Sequence, residues 1–221
     1  MRATVRSRWR AAIIAAAPAV LLAGFAYHPY ISPPTDEAAV AAAAASDTLR
    51  WQLAHVTIAV GYGLAAFAFL AVRSHLREVG EERWSVLGLP PVILGSVLFT
   101  ILTGMEIALA AVAETGGDAQ AVQAALFPWF VPILLIGAVG FALGAFGFAM
   151  GIARSAVLRP GLTRVVAGAL LVMAVARFVP LSLAPYLMAV AGVVALWPLA
   201  YELWRHPEVR PSGHPRPLPA T

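Results

Sequence analysis

The chain has 221 residues, of which 61% are hydrophobic and 12% charged, where soluble domains run near 45–50% and about 25%. That balance excludes an ordinary soluble domain, and the lack of cysteine excludes a disulfide framework and a thiolate metal site. The net charge of +4 is carried by 15 basic residues, all arginine, so nucleic acid and anionic lipid are both partners to weigh until their placement is read.

Residues 1–10 form a basic N-terminus with Arg2, Arg6, Arg8 and Arg10 and no acid. The apolar run over 11–27 is long enough, with its flanks, to cross a bilayer. Gly24, Phe25 and Ala26 resemble a signal-peptide cleavage site, but the run exceeds the usual apolar core of roughly 7–15 residues, so a retained helix is expected. In the connection that follows, Pro33 and Pro34 break the chain. Thr35, Asp36 and Glu37 then supply a cap and two acids for a short alanine-rich helix ending at Ala45. Ser46 or Asp47 caps the second span, 51–72. Residues 73–84 are a compact charged connection, with Arg73, Arg77 and Arg83 against Glu78, Glu81 and Glu82.

The third span is expected over 90–113, starting at Pro90 or Pro91 because proline is tolerated in a first turn. Glu114 and Asp118 lie in an arginine-free connection before the fourth span, 126–153. A basic stretch over 154–164 leads into the fifth span, 162–179. Pro180 and Pro185 turn the chain into the sixth, 185–204. The tail, 205–221, is proline-rich and expected to be disordered.

The expected fold is therefore all-α, a polytopic six-helix membrane bundle. Thirteen arginines fall on the side of both termini, and only Arg50 and Arg177 fall toward the other side. The positive-inside rule places both termini in the cytoplasm. Trp9, Trp84 and Trp204 at inner ends, and Trp51 and Trp129 at outer ends, read as aromatic belts; Trp197 lies about a turn and a half inside the last helix. Topology thus explains the basic charge. The expected partner is the lipid bilayer and not nucleic acid.

Within the fourth span, Gly137, Gly140, Gly144, Gly147 and Gly151 step by three and four residues and share one helix face within roughly 80° of arc. Each glycine weakens a helix by about 1 kcal/mol relative to alanine, so the face must recover that cost by close backbone packing. The spacing superficially resembles a phosphate loop, but no strand precedes it and the helix is continuous and apolar. The neighbour of this face is either another helix of the chain or a second protein.

Glu106 is the one acid well inside an expected span, and such groups face the bundle or a wet cavity. Ser96, Thr100 and Thr103 precede it at helical steps and form a polar stripe leading to it. They either serve a proton or solute site or bond their own helix backbone. Arg177, near the outer end of the fifth span, runs against the charge rule; it either pairs with Glu106 or snorkels to the outer headgroups. Trp51, His55, Ile58 and Tyr62 share a face of the second span. His28 and His55 near one interface raise a haem or metal site. The simpler reading is an interfacial histidine bonded to the outer loop, and no cofactor or metal is expected. His75, His206 and His214 are expected to be solvated in the cytoplasm. No catalytic residues are assigned, because no nucleophile elbow, phosphate loop or metal motif occurs.

The pattern AGFAYHP, an acidic alanine-rich connection and then Trp51-Gln52-Leu53-Ala54-His55 resembles uncharacterised multi-pass membrane proteins of actinobacteria. The resemblance covers roughly residues 15 to 75 and implies a bacterial plasma-membrane protein; it brings no site residues. Two functions compete. One is a small transporter-like or solute- or proton-sensing protein with a polar site in the outer half, among Glu106, His55, Arg177, Thr103, Thr100 and Tyr62. The other is a non-catalytic subunit assembling as a homo- or hetero-oligomer through the glycine face of the fourth span. A three-plus-three division would match inverted-repeat transporters, though no internal sequence similarity is visible.

Overall fold

The structure, a computed structural model, describes residues 2–32, 36–179 and 182–206. Seven α-helices fill it: α1 (Arg2–Tyr27), α2 (Glu37–Ser46), α3 (Thr48–Glu78), α4 (Arg83–Glu114), α5 (Ala119–Arg154), α6 (Pro160–Ala176) and α7 (Ala184–Arg205). No strand occurs among the described residues. Five helices, α1, α3, α4, α5 and α7, are long and apolar enough to cross a membrane. α6 has 17 residues, about 25 Å of helix against a hydrocarbon core of ~30 Å. The disorder expected of the proline-rich tail falls largely on residues 207–221, outside the described residues.

Acidic side chains set where most helices begin. Asp36 accepts hydrogen bonds from the amides of Ala38 and Ala39, both at 3.1 Å, and starts α2. Asp47, rather than Ser46, accepts from Arg50 N at 3.0 Å and starts α3. Glu81 accepts from Trp84 N at 2.7 Å and Ser85 N at 3.2 Å, and Asp118 accepts from Ala121 N at 3.0 Å. These contacts satisfy amide groups that a helix start leaves without partners.

They also correct two expected boundaries. α4 begins at Arg83, not at Pro90 or Pro91, and α5 at Ala119, not at 126. Pro90, Pro91, Pro128 and Pro132 lie inside these helices because the acids upstream have already fixed the first turn. α6 does open on a proline, Pro160, and stops at Ala176, three residues short of its expected end.

The six longer helices form a closed ring in chain order: α1 packs on α3, α3 on α4, α4 on α5, α5 on α6, α6 on α7, and α7 back on α1. α2 lies across one end, against α3, α4 and α5. Exposed Phe67, Leu143 and Val175, each about 60% accessible, give the ring an apolar outer surface suited to hydrocarbon. Inside, Phe69, Phe99, Phe141 and Phe148 are fully buried and stack in sequence, with Phe69 4.8 Å from Phe148 and Phe99 6.0 Å from Phe141.

The tightest seam joins α4 to α5. A Cβ added at Gly144 would lie 2.6 Å from Val92 N, and one at Gly147 would lie 2.8 Å from Gly88 Cα. Gly137 faces Leu98 and Phe99, and Gly140 faces the Pro91 carbonyl. Gly95 meets the Phe141 backbone in return, while Gly151 abuts Glu81. The glycine face of the fourth span is therefore covered within the same chain, by α4 at Gly137, Gly140, Gly144 and Gly147 and by Glu81 and Leu76 at Gly151. An oligomer through this helix would have to use its other side, where Leu135, Ile136 and Leu143 are exposed.

The terminal end of the ring is held by polar contacts. Arg10 bonds Glu78 at 2.7 Å, and Ser7 Oγ donates to the Leu203 carbonyl at 2.8 Å. His75, expected to be solvated, is instead 5% exposed and neither ring nitrogen has a hydrogen-bond partner. α1 extends to Arg2 and so covers this part of α3, which a helix starting at residue 11 would have left open. His206 is exposed, and His214 lies outside the described residues.

Candidate functional site

At the α2 end the ring does not close completely. A chamber of about 220 Å³ is lined from α1, α2, α3, α4, α5 and α7 and from the turns beside them. A second, of about 370 Å³, lies between α5 and the α6–α7 turn. The two share Val40, Glu106, Phe130, Leu134, Arg177 and Pro185 as walls, so Glu106 and Arg177 stand at their common boundary.

Arg177 follows the last turn of α6 and reaches inward. Its guanidinium carbon lies 4.2 Å from the ring centre of Phe99, 5.2 Å from Tyr62 and 5.8 Å from Phe25. A guanidinium over aromatic faces is held by their quadrupoles. Its Nε donates to Met188 Sδ at 3.1 Å, the only hydrogen bond of this side chain among the described residues. Neither expected arrangement is present. No Arg177 nitrogen comes within 4.0 Å of a Glu106 carboxylate oxygen, and the side chain lies inside the ring instead of running to its rim.

Glu106 projects from α4 into the same space. Its Oε2 is buried and has no hydrogen-bond partner. Its backbone carbonyl accepts from Trp51 Nε1 at 2.7 Å, which locks this turn of α4 to α3. Trp51 is 1% exposed, so it is a wall of the site and not part of an interfacial belt. Trp129, ten residues into α5, is by contrast 70% exposed. The difference comes from α2, whose Val40 and Ala44 cover Trp51 together with Leu109 and Ala110 of α4.

The two histidines meet here. The rings of His28 and His55 are 4.9 Å apart, and each lies within 5.0 Å of Trp51. His28 Nδ1 bonds the Pro29 carbonyl at 2.7 Å, and His55 Nδ1 bonds the Trp51 carbonyl at 2.8 Å. His55 therefore bonds its own helix and not an outer loop. A carbonyl only accepts, so Nδ1 carries the proton in both rings and each Nε2 presents a lone pair. Burial pushes the His28 imidazole below its ordinary value, and the Arg50 charge adds to this. The bond to Pro29 opposes them. Among the described residues no three His, Cys, Asp or Glu side chains converge as a metal site.

Tyr62 lies about two turns beyond His55 on α3. Its hydroxyl is buried and unpartnered, and its ring packs on Phe99 at 5.0 Å. Of the polar stripe on α4, Thr103 lines the chamber, whereas Ser96 and Thr100 do not. All three hydroxyls donate to carbonyls of their own helix: Ser96 to Val92, Thr100 to Ser96 and Thr103 to Thr100. The stripe is thus internally satisfied and forms no polar path to the acid.

Of the residues singled out in sequence, Glu106, His55, Arg177, Thr103 and Tyr62 come together around one chamber, and Thr100 does not. Sequence reading missed Phe25, Phe99 and Met188, the bed of Arg177. The four-residue step from Phe99 to Thr103 was the signal available for the first of these on α4. No protein-family model, curated protein or solved structure matches the chain.

Proposed function

We propose that the chain is a six-span protein of a bacterial plasma membrane, with α6 as its shortest span, that binds a small solute at the chamber around Glu106 and Arg177. Both termini are cytoplasmic in this reading, and the chamber opens toward the outer side. The distribution of arginine supports the orientation: Arg6, Arg10, Arg73, Arg154 and Arg159 belong to the terminal end, while Arg50 and Arg177 belong to the α2 end. The observation that carries the function is an acid, Glu106, and a base, Arg177, on one cavity wall, neither in an ion pair among the described residues. Unpaired ionisable groups inside a bundle are costly and mark solute or proton sites.

A purely structural role for Glu106 would require a protein partner for its carboxyl group, and Oε2 has none among the described residues. The assembly reading loses its main support, because the glycine face is already filled within the chain. Glu106→Gln tests the choice. The variant is expected to melt within about 1 kcal/mol of the parent protein and to lose stabilisation by solutes that raise the parent's melting temperature. A variant that fails to fold, or one that keeps every solute effect, contradicts the proposal.

A further inference from the structure

The polar atoms of the chamber are sorted into two poles. One pole gives hydrogen bonds. Arg177 lies over the Tyr62 ring at 5.2 Å, its remaining N–H groups have no acceptor among the described residues, and the buried Tyr62 hydroxyl has no partner. The other pole accepts them. Glu106 is tied through its carbonyl to Trp51, and Trp51 packs on His55 and His28. Glu106 Oε2 is buried without a partner among the described residues. The Nδ1 atoms of His28 and His55 are taken up by carbonyls, and their Nε2 lone pairs receive no hydrogen bond from a described residue. Phe130 and Leu134 add aromatic and aliphatic lining to the chamber.

A simple anion would satisfy Arg177 and Tyr62 but would bring like charge to Glu106. A simple cation would do the reverse at Arg177. A neutral apolar molecule would leave both charges buried and unpaired, which is unfavourable in a low-dielectric site. A ligand carrying both signs satisfies both poles at once. We propose that the chamber takes a small zwitterion of the amino-acid class. Its carboxylate sits on Arg177 and the Tyr62 hydroxyl, its ammonium on Glu106 and the histidine Nε2 atoms, and its apolar part against the aromatic wall. A guanidinium suits a carboxylate because its planar fork gives two parallel hydrogen bonds. An ammonium has three donors, matching three acceptors at the opposite pole.

This inference rests on the solute-binding reading above, and one experiment separates the two. The chain has no cysteine, so Thr103→Cys in the full-length protein gives a single thiol on the chamber wall. Its reaction with a small, charged, membrane-impermeant thiol reagent reports access. Glycine, β-alanine, γ-aminobutyrate, L-leucine and L-phenylalanine are added as protectants, with phenylpropanoate and phenethylamine as analogues lacking one charge. At saturation at least one zwitterion is expected to slow labelling by about tenfold, the rate ratio of an occupied chamber, while each single-charge analogue protects at least about tenfold more weakly. Arg177→Gln and Glu106→Gln, each made in the Thr103→Cys background, should both abolish protection while the thiol still reacts. Labelling that no zwitterion slows overturns the ligand assignment and leaves the solute site standing. Equal protection by a single-charge analogue also overturns it. Absence of labelling overturns both readings.

Discussion

At the scale of single residues, the site is governed by what lacks a partner. Glu106, Tyr62, His28 and His55 line one small volume, with Glu106 Oε2 and the Tyr62 hydroxyl unpartnered among the described residues, while hydroxyls along α4 are satisfied by their own backbone. His28 is the titratable group of this set that lies beyond the end of α1. Burial lowers its proton affinity in the folded state. Its contribution to stability is then fully present above the ordinary histidine value of 6.5 and is lost as the pH falls through that value toward the folded one. The melting temperature in detergent is expected to drop on acidification from neutral pH. The slope, at most about 1.4 kcal/mol per pH unit for one group, should be shallower in His28→Gln. An unchanged slope would show that His28 is not held neutral. The polar members of the site were legible in sequence because a polar residue in an apolar run is conspicuous and costly. Trp51 was misread because an interfacial tryptophan and a buried one at the same height look alike until α2 is seen to cover the ring.

At the scale of elements, backbone proximity between α4 and α5 is what the glycines provide. The face on α5 was visible from spacing alone. Its counterparts, Gly88 and Gly95, lie seven residues apart on α4 and passed unnoticed because two small residues make no pattern. The lipid-facing and inward faces of the spans were equally hidden: Phe67 is 60% exposed and Phe69 1%, yet both are apolar. When lipid and core are both hydrophobic, periodicity no longer separates them. Gly144→Ala places a methyl against the Val92 backbone and is expected to destabilise by about 1–3 kcal/mol, a fall in melting temperature of roughly 2–12 °C at this chain length. Gly104, on the same α4, has nothing within 4 Å of an added Cβ, so Gly104→Ala should be neutral or stabilising by up to about 1 kcal/mol. Equal effects of the two substitutions would contradict a close-packed seam.

At the scale of the whole molecule, the ring has two unlike ends. The terminal end is closed by Arg10, Glu78, Ser7 and Leu203 and carries most of the arginines. The α2 end holds the chambers. The placement of the arginines made this difference between the ends readable from sequence. The chamber itself was not readable, because it depends on how α2 and the α6–α7 turn sit on the ring. The central claim is that water and solute reach Glu106 from the outer side only. It is tested most directly by labelling Thr103→Cys with an impermeant thiol reagent, applied in turn to right-side-out cells and to inverted membrane vesicles, with exposed Ile101→Cys as the hydrocarbon-facing control. Rapid labelling of Thr103→Cys from the outer side, with none from the inner side and none of Ile101→Cys from either, is the expected result. Labelling from the cytoplasmic side alone, or from neither side, would contradict it.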